Sequence, residues 1–174
     1  MKIARKWISG TAVVSLAVLL CLLLVGNIRG DQEETKFQWL IGSAASALAN
    51  DSSKITLTGT GTFKPNDPEE VTGGGTWQTF NPGATTPNAS GTFKVTQLVK
   101  VDLTPSVPDP SIRGGLAFFR MKYSDGSRGI LVVSCRVGAP APVFEGVTAS
   151  KDFTDYWNRI PAGTLFRVVT ETED

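Results

Sequence analysis

The carboxylates and the thiol of the C-terminal half are the side chains in this sequence that could take part in catalysis. Glu145 lies between apolar neighbours in VFEGV, and as an inward-facing carboxylate it could act as a general acid or base. Asp152 and Asp155 stand three residues apart and could form a carboxylate pair. For all three, a solvated outward side chain is the simpler interpretation. Cys135 is expected to be a small buried hydrophobe, because no neighbour in sequence would lower its pKa.

A second group of side chains indicates binding rather than catalysis. Gln97 interrupts the apolar face of the longest predicted strand, and an amide that faces a core must be hydrogen-bonded to protein, water or ligand. Arg120 and Lys122 could anchor an anion or could end a half-covered strand in solvent. The residues predicted to contact a ligand are Trp77, Gln97, Phe119, Arg120 and Glu145.

Several common chemistries are not expected from this composition. The chain has no histidine, which removes the histidine-based nucleophile systems and most zinc sites. The acidic loop 66–70 lacks the alternating ligands of a recognised calcium loop. The glycines at 59–61 and 73–75 are not followed by Lys-Ser or Lys-Thr, so they are not phosphate loops. We therefore expect no cofactor and no metal.

Residues 1–30 have the layout of a secretory signal peptide or a membrane anchor. Basic residues precede an uncharged, apolar run over residues 8–26. This run is longer than a usual signal core and approaches the ~20 residues of a membrane-spanning helix. Cleavage and retention both remain open. In either case the charge distribution predicts that the rest of the chain is exported, either tethered to the membrane or secreted.

The exported part is close to neutral in charge and can form no internal disulfide. Residues 31–174 contain 13 basic and 16 acidic residues, a balance that argues against nucleic acid as a partner. Cys21 lies in the apolar run, so Cys135 is the only cysteine of the exported part. The stability of the domain must therefore come from packing.

The periodicity predicts an all-β domain with one or two short helices. Residues 31–53 are expected to form a polar linker and an amphipathic helix, since Phe37, Ile41 and Leu48 lie on one helical face. From residue 54 to residue 174 the chain is β-rich, with strands that are joined mainly by turns. A second short helix is expected to follow Ser150, with Phe153, Trp157 and Ile160 on one face. We expect a small antiparallel barrel or a sandwich.

The predicted hairpin around Ser124-Asp125-Gly126-Ser127 has two apolar faces. Ala117 and Phe119 lie on one face, and Leu116 and Phe118 lie on the other. A strand of this kind needs cover on both sides. We expect the helix at 37–48 to provide the outer cover, and a second subunit is the alternative.

Four stretches resemble exported bacterial β-rich proteins that have no assigned activity. They are VTGGGTW (71–77), GTFKVTQLV (91–99), YSDGSRGILVVSC (123–135) and FEGVTASKDFTDYW (144–157). The resemblance covers most of residues 54–169 and implies no functional residues. The GTFKVT strand is also similar to strands of the allene oxide cyclase and lipocalin barrels, which is an analogy of fold alone.

Three functions follow as hypotheses. The first is a non-enzymatic, extracytoplasmic barrel that binds a small apolar or amphipathic ligand, and it rests on Gln97 and on Trp77, Phe93 and Phe119. The second is a membrane-anchored structural or interaction domain, which could form a homo-oligomer. The third is a small isomerase or cyclase that uses Glu145 or an aspartate.

Overall fold

The computed structural model describes residues 35–105 and 108–170. The signal or anchor segment predicted over residues 1–30 lies outside these ranges. The described chain contains no helix with the length and apolarity needed to cross a bilayer. All of its regular secondary structure is β-strand. The all-β prediction is therefore confirmed, and both predicted short helices are wrong.

Strands follow one another along the whole described chain. They are β1 (Lys36–Leu48), β2 (Lys54–Lys64), β3 (Asp67–Val71), β4 (Gly74–Phe80), β5 (Ala89–Leu103), β6 (Ile112–Arg113), β7 (Gly115–Tyr123), β8 (Arg128–Cys135), β9 (Gly146–Lys151), β10 (Thr154–Tyr156), β11 (Asn158–Arg159) and β12 (Thr164–Val169).

These strands form one antiparallel sheet, in the order β10-β9-β8-β7-β5-β4-β2-β1-β12-β6. β11 pairs with β1, and β3 pairs with β2. The two ends of the order are not paired with each other, so within the described ranges the sheet is not closed. The sheet nevertheless curls strongly and brings β12 against β8, which are far apart in this order. The Thr164 hydroxyl in β12 donates a 2.5 Å hydrogen bond to the Ser134 carbonyl oxygen in β8. One face of the sheet, the inner face, therefore surrounds a single core.

Aromatic rings fill the centre of this core. Trp39, Phe63, Phe119 and Phe166 have no solvent exposure. The ring centroids of Trp39 and Phe119 lie 5.5 Å apart, and those of Phe63 and Phe166 lie 6.0 Å apart. Burial of each phenylalanine ring contributes roughly 1.5–3 kcal/mol. Because the four rings come from β1, β2, β7 and β12, they tie distant parts of the sheet together.

The segment predicted as a helix at 37–48 is strand β1. Phe37, Trp39 and Ile41 alternate toward the core, and a bulge then inserts two extra residues before Ala45. Residues 37, 41 and 45 share one face of a strand because their spacing is even, and a spacing of four also keeps residues on one face of a helix. Apolar residues at these positions therefore fit either structure. β1 pairs with both β2 and β12, so tertiary pairing decides its conformation.

The second predicted helix is replaced by the β9–β10 hairpin and by β11. Asp152 adopts a left-handed backbone conformation with φ of 50°, which turns the chain within two residues. Phe153, Trp157 and Ile160, the expected apolar face, are all exposed. Within residues 35–105 and 108–170, no helix covers the outer face of the β7–β8 hairpin, and Leu116 and Phe118 are partly exposed there.

Two irregularities in β5 change which of its side chains face the core. The register against β7 shifts between Val95 and Gln97 and again between Leu98 and Lys100. Leu98 consequently points inward, whereas Val99 is half-exposed. Period-two alternation from Phe93 predicts that Val99 lies on the inner face, and this is wrong because each bulge adds one residue to β5 without a counterpart in β7.

The glycines of β2 and β4 allow these strands to approach closely. Gly59 and Gly75 are directly opposite each other. A Cβ atom on Gly75 would lie only 1.7 Å from the Thr58 carbonyl oxygen. No side chain can occupy this position without a backbone shift.

Candidate functional site

The outer face of strands β5, β7 and β8 carries a row of cations. Lys94, Lys122 and Arg128 are paired in register across the three strands, and all three are exposed. Neighbouring strands lie ~4.8 Å apart, so the row is only about 10 Å wide. Arg120 is exposed on the same outer face of β7, two residues before Lys122. We call these four residues the cationic face.

No carboxylate within the described ranges forms an ion pair with any residue of the cationic face. The ion pairs of the described chain join Lys36 and Lys64 to Glu70, Lys100 to Asp102, and Lys151 to Asp125. Like charges that are directly opposite across an antiparallel pair destabilise the sheet. The row therefore has an energetic cost that the fold itself does not offset.

A depression of about 300 Å³ lies within the cationic face. Arg120, Lys122 and Arg128 line it, together with Thr96 and the backbone of Gly129. The first bulge of β5 shapes its floor, and there the Thr96 hydroxyl donates to the Arg120 carbonyl oxygen at 3.3 Å. A neighbouring depression is lined by Lys94, Lys122, Thr92 and Ser124, among others. Cations and hydroxyl groups side by side provide the donors that a phosphate or carboxylate group accepts.

The tip of the β9–β10 hairpin lies beside one end of the row. The Asp152 amide donates a 2.9 Å hydrogen bond to the Arg128 carbonyl oxygen. Phe153 follows in the turn and is fully exposed. The turn that carries this exposed ring is thus held next to Arg128, at one end of the cationic face, by a backbone hydrogen bond.

Lys151, in the same hairpin, has an entirely different environment. Its ammonium group lies 4.7 Å from the ring centroid of Trp77 and 5.2 Å from that of Tyr123. It also donates a 2.5 Å hydrogen bond to Asp125. The hydrogen bonds from Lys151 and from Ser127 lower the pKa of the Asp125 carboxyl to about 2. Lys151 therefore has a structural role, in which it packs over the rings of two core residues and pairs with Asp125.

The residues predicted to bind a ligand do not converge on one site. Trp77 and Phe119 are buried in the core, where the Trp77 indole donates to the Thr92 carbonyl oxygen at 3.1 Å. Gln97 is paired in register with Arg120 and donates to Glu69 at 3.2 Å, on the outer side of the sheet. Glu145 lies in the segment before β9 and accepts a 3.4 Å hydrogen bond from the Thr164 amide. Among these five, the register brings together Gln97 and Arg120.

The other reactive groups have structural environments. Cys135 is fully buried, and burial raises the pKa of its thiol. Burial likewise raises the pKa of Tyr123, whose hydroxyl donates to the Ser150 carbonyl oxygen at 2.8 Å. Asp152 and Asp155 are exposed on the β9–β10 hairpin. The described ranges contain no group of three or more histidine, cysteine or acidic side chains placed to hold a metal ion.

Sequence reasoning missed Lys94, Arg128 and Phe153 as members of a surface. A signal for the first two was present, because a hairpin centred on the turn at 124–127 places Lys122 opposite Arg128. Its extension to Lys94 required the pairing of β5 with β7, which are separated by the segment 104–114. Phe153 was assigned to one face of a short helix, together with Trp157 and Ile160, so its position in an exposed turn was not foreseen.

Comparison of the chain with protein-family models, with curated proteins and with solved structures gives no match.

Proposed function

We propose that this chain is a non-enzymatic, extracytoplasmic interaction domain that binds an anionic partner on its cationic face. In this proposal the curled sheet is a small barrel that serves as a rigid scaffold, and residues 1–30 direct export and then anchor or release the domain. The observation that carries the proposal is the row of Lys94, Lys122 and Arg128, which no described carboxylate compensates. A partner that supplies negative charge would remove the repulsion within the row.

The packing of the interior favours a surface site over an internal one. Trp39, Phe63, Phe119 and Phe166 contact one another at the centre of the core. An apolar ligand inside the sheet would have to displace these rings. Two of the aromatic residues on which internal binding depends, Trp77 and Phe119, belong to this packing.

The environments of the shifted titratable groups support a binding role rather than catalysis. The pKa of Asp125 is lowered by a hydrogen bond that also holds Lys151 over the core. The pKa values of Tyr123 and Cys135 are raised by burial within that core. Each shift therefore has a structural cause, whereas a catalytic site would bring such groups together in a cleft.

Binding of a soluble polyanion tests the proposal directly. The full chain, kept in a neutral detergent, is titrated with fluorescent polyphosphate, and anisotropy reports the dissociation constant. We expect binding that weakens as salt is added, and at least about a tenfold loss in Lys122→Glu/Arg128→Glu, because each contact is worth ~1 kcal/mol. Arg136→Glu/Arg167→Glu is the matched control, since it changes the net charge equally at exposed positions elsewhere.

Equal loss of binding in the two double variants would show that only net charge matters and would refute a localised site. Absence of polyphosphate binding by the unmodified chain at low salt would refute the proposal altogether. Circular dichroism of both variants excludes unfolding as the cause.

A second candidate function, the binding of a small apolar ligand, is favoured by a different depression. This groove of about 560 Å³ lies near the end of β5, and Leu103, Leu116, Pro140 and Val143 contribute its apolar lining. A neutral, photoreactive long-chain alcohol should then label residues 103–105 or 138–143, as mapped by mass spectrometry. Val143→Asp should abolish this labelling. Labelling spread evenly over the surface would refute the groove as a site.

A further inference from the structure

We propose that the anionic partner is a lipid bilayer containing acidic phospholipids, and that Phe153 inserts into it while the cationic face contacts the headgroups. This inference rests on the proposed function and specifies its partner. It depends on two independent observations, the uncompensated row and the exposed ring beside it.

Phe153 occupies a position where the fold gains nothing from a phenylalanine. It is the second residue of a two-residue turn in which Asp152, and not Phe153, has a positive φ, so the backbone of the turn does not require a phenylalanine. Its ring is fully exposed and makes no aromatic contact within the described chain. A large apolar side chain in water at a hairpin tip is the arrangement that inserts at the boundary between headgroups and acyl chains.

Further apolar side chains lie on the same outer surface as the cations. Val99 is half-exposed at the second bulge of β5. Phe118, on β7, is partly exposed two residues before Arg120. The outer face of β5, β7 and β8 is therefore amphipathic, with apolar groups next to cations. A soluble polyanion would use only the cations, whereas a bilayer uses both kinds of group.

The charge near the hairpin tip remains favourable despite three nearby carboxylates. Asp125 is neutralised by Lys151. Asp152 and Asp155 have no ion-pair partner in the described chain, and they oppose the approach of an anionic surface. The four cations of the cationic face outnumber these two carboxylates and Glu69, which accepts a hydrogen bond from Gln97 beside Arg120.

The predicted position of the domain relative to the membrane also favours a bilayer over a dissolved polymer. Residues 27–35 separate the apolar run from β1, and nine extended residues span at most ~30 Å. If the apolar run is retained as an anchor, the bilayer is the anionic surface nearest to the domain.

Depth-dependent quenching measures insertion without interference from residues 1–30. The full chain carries Cys21→Ser and Asp155→Cys, so that a fluorophore next to Phe153 is the reporter, while Cys135 remains buried and unlabelled. The protein is reconstituted into phosphatidylcholine vesicles with or without phosphatidylglycerol, and nitroxide lipids act as quenchers. A label at Ser43→Cys, an exposed position on β1, is the matched control.

We expect quenching at position 155, and not at position 43, in vesicles that contain phosphatidylglycerol. Phe153→Ser and Lys122→Glu/Arg128→Glu should each reduce this quenching about fivefold or more. Because the Phe153 ring is fully exposed, its replacement should leave the fold intact, which circular dichroism verifies.

Equal quenching in vesicles without phosphatidylglycerol would overturn recognition by charge, and so would no change in the charge-reversal variant. No change in Phe153→Ser would overturn insertion of the ring. Absence of quenching, combined with polyphosphate binding that depends on Lys122 and Arg128, would overturn the lipid partner and leave the proposed function standing with a dissolved anionic polymer. Absence of both would overturn both proposals.

Discussion

Two regions of the outer face of the same sheet differ in how their polar side chains interact across neighbouring strands. On β1, β2 and β4, hydroxyl groups pair across the strands: Ser46 with Thr56 at 2.7 Å, and Thr58 with Thr76 at 2.6 Å. We call this the hydroxyl face. On the cationic face, Lys94, Lys122 and Arg128 are also paired in register, but their charges repel.

The difference shows which face serves the fold. A hydroxyl is both donor and acceptor, so a row of hydroxyls satisfies itself and stabilises the sheet. An ammonium or guanidinium group only donates, so a row of them needs acceptors from elsewhere. The hydroxyl face therefore pairs its own side chains, whereas the exposed cations of the cationic face find acceptors in solvent or, in our proposal, in an anionic partner.

The largest effect is expected from a change beneath the hydroxyl face. Gly75→Ala would place a Cβ atom 1.7 Å from the Thr58 carbonyl oxygen. The backbone must shift to remove this overlap, which should lower the free energy of unfolding by ~1–3 kcal/mol or more. Thermal or urea unfolding should show a loss of this size. Gly163→Ala is the control, because no atom lies within 4 Å of its added Cβ. A Gly75→Ala variant as stable as the control would mean that β2 and β4 do not require this approach.

The hydroxyl face could be predicted from sequence better than the cationic face. The alternation of Thr56, Thr58 and Thr60 with apolar residues or glycine defines a half-buried strand, and the glycines of β4 indicate a bulge, a bend or a close approach of the backbone. Both features are local. The cationic face requires the β5–β7 pairing, in which two bulges change the inward or outward position of each residue. Period-two reasoning cannot place a bulge, so Gln97 was assigned to the inner face.

Ambiguous local patterns explain the two errors in secondary structure. In β1, apolar residues that are four positions apart fit a strand as well as a helix, and pairing on both edges fixes the segment as a strand. At 150–160, the left-handed Asp152 turned the chain back on itself. An apolar residue three or four positions from another indicates a helix only if both are buried, and Phe153 and Trp157 are exposed.

A moderate effect is expected when one hydroxyl pair is removed. Thr58→Ala deletes one partner of the Thr58–Thr76 hydrogen bond and should cost ~0.5–1 kcal/mol in urea unfolding. Polyphosphate binding should not change, because the substitution lies outside the cationic face. Weaker binding in Thr58→Ala would contradict the separation of the two faces.

A smaller, pH-dependent effect is expected at the paired cation. The folded pKa of Asp125 is about 2, below the ~3.9 of an unfolded aspartate. Its stabilisation is therefore fully present above pH ~4–5 and is lost as the pH falls toward 2. Asp125→Asn should lower the melting temperature slightly at pH 6, since exposed pairs contribute less than ~1 kcal/mol. The melting curves of the two proteins should converge near pH 2. A constant difference at every pH would show that the Asp125 charge is not the cause.

The smallest expected effect has the opposite sign, and it separates the two faces most sharply. Lys122→Gln removes the central charge of the row, which relieves its repulsion with Lys94 and Arg128. The folded state should gain a few tenths of a kcal/mol at low ionic strength, and the gain should vanish in ~1 M salt, where the Debye length is only ~3 Å. Polyphosphate binding should weaken about fivefold in the same variant. A side chain whose removal stabilises the fold and weakens binding serves the partner rather than the fold. If Lys122→Gln instead destabilised the domain as Thr58→Ala does, the row would be a structural feature and the contrast between the faces would fail.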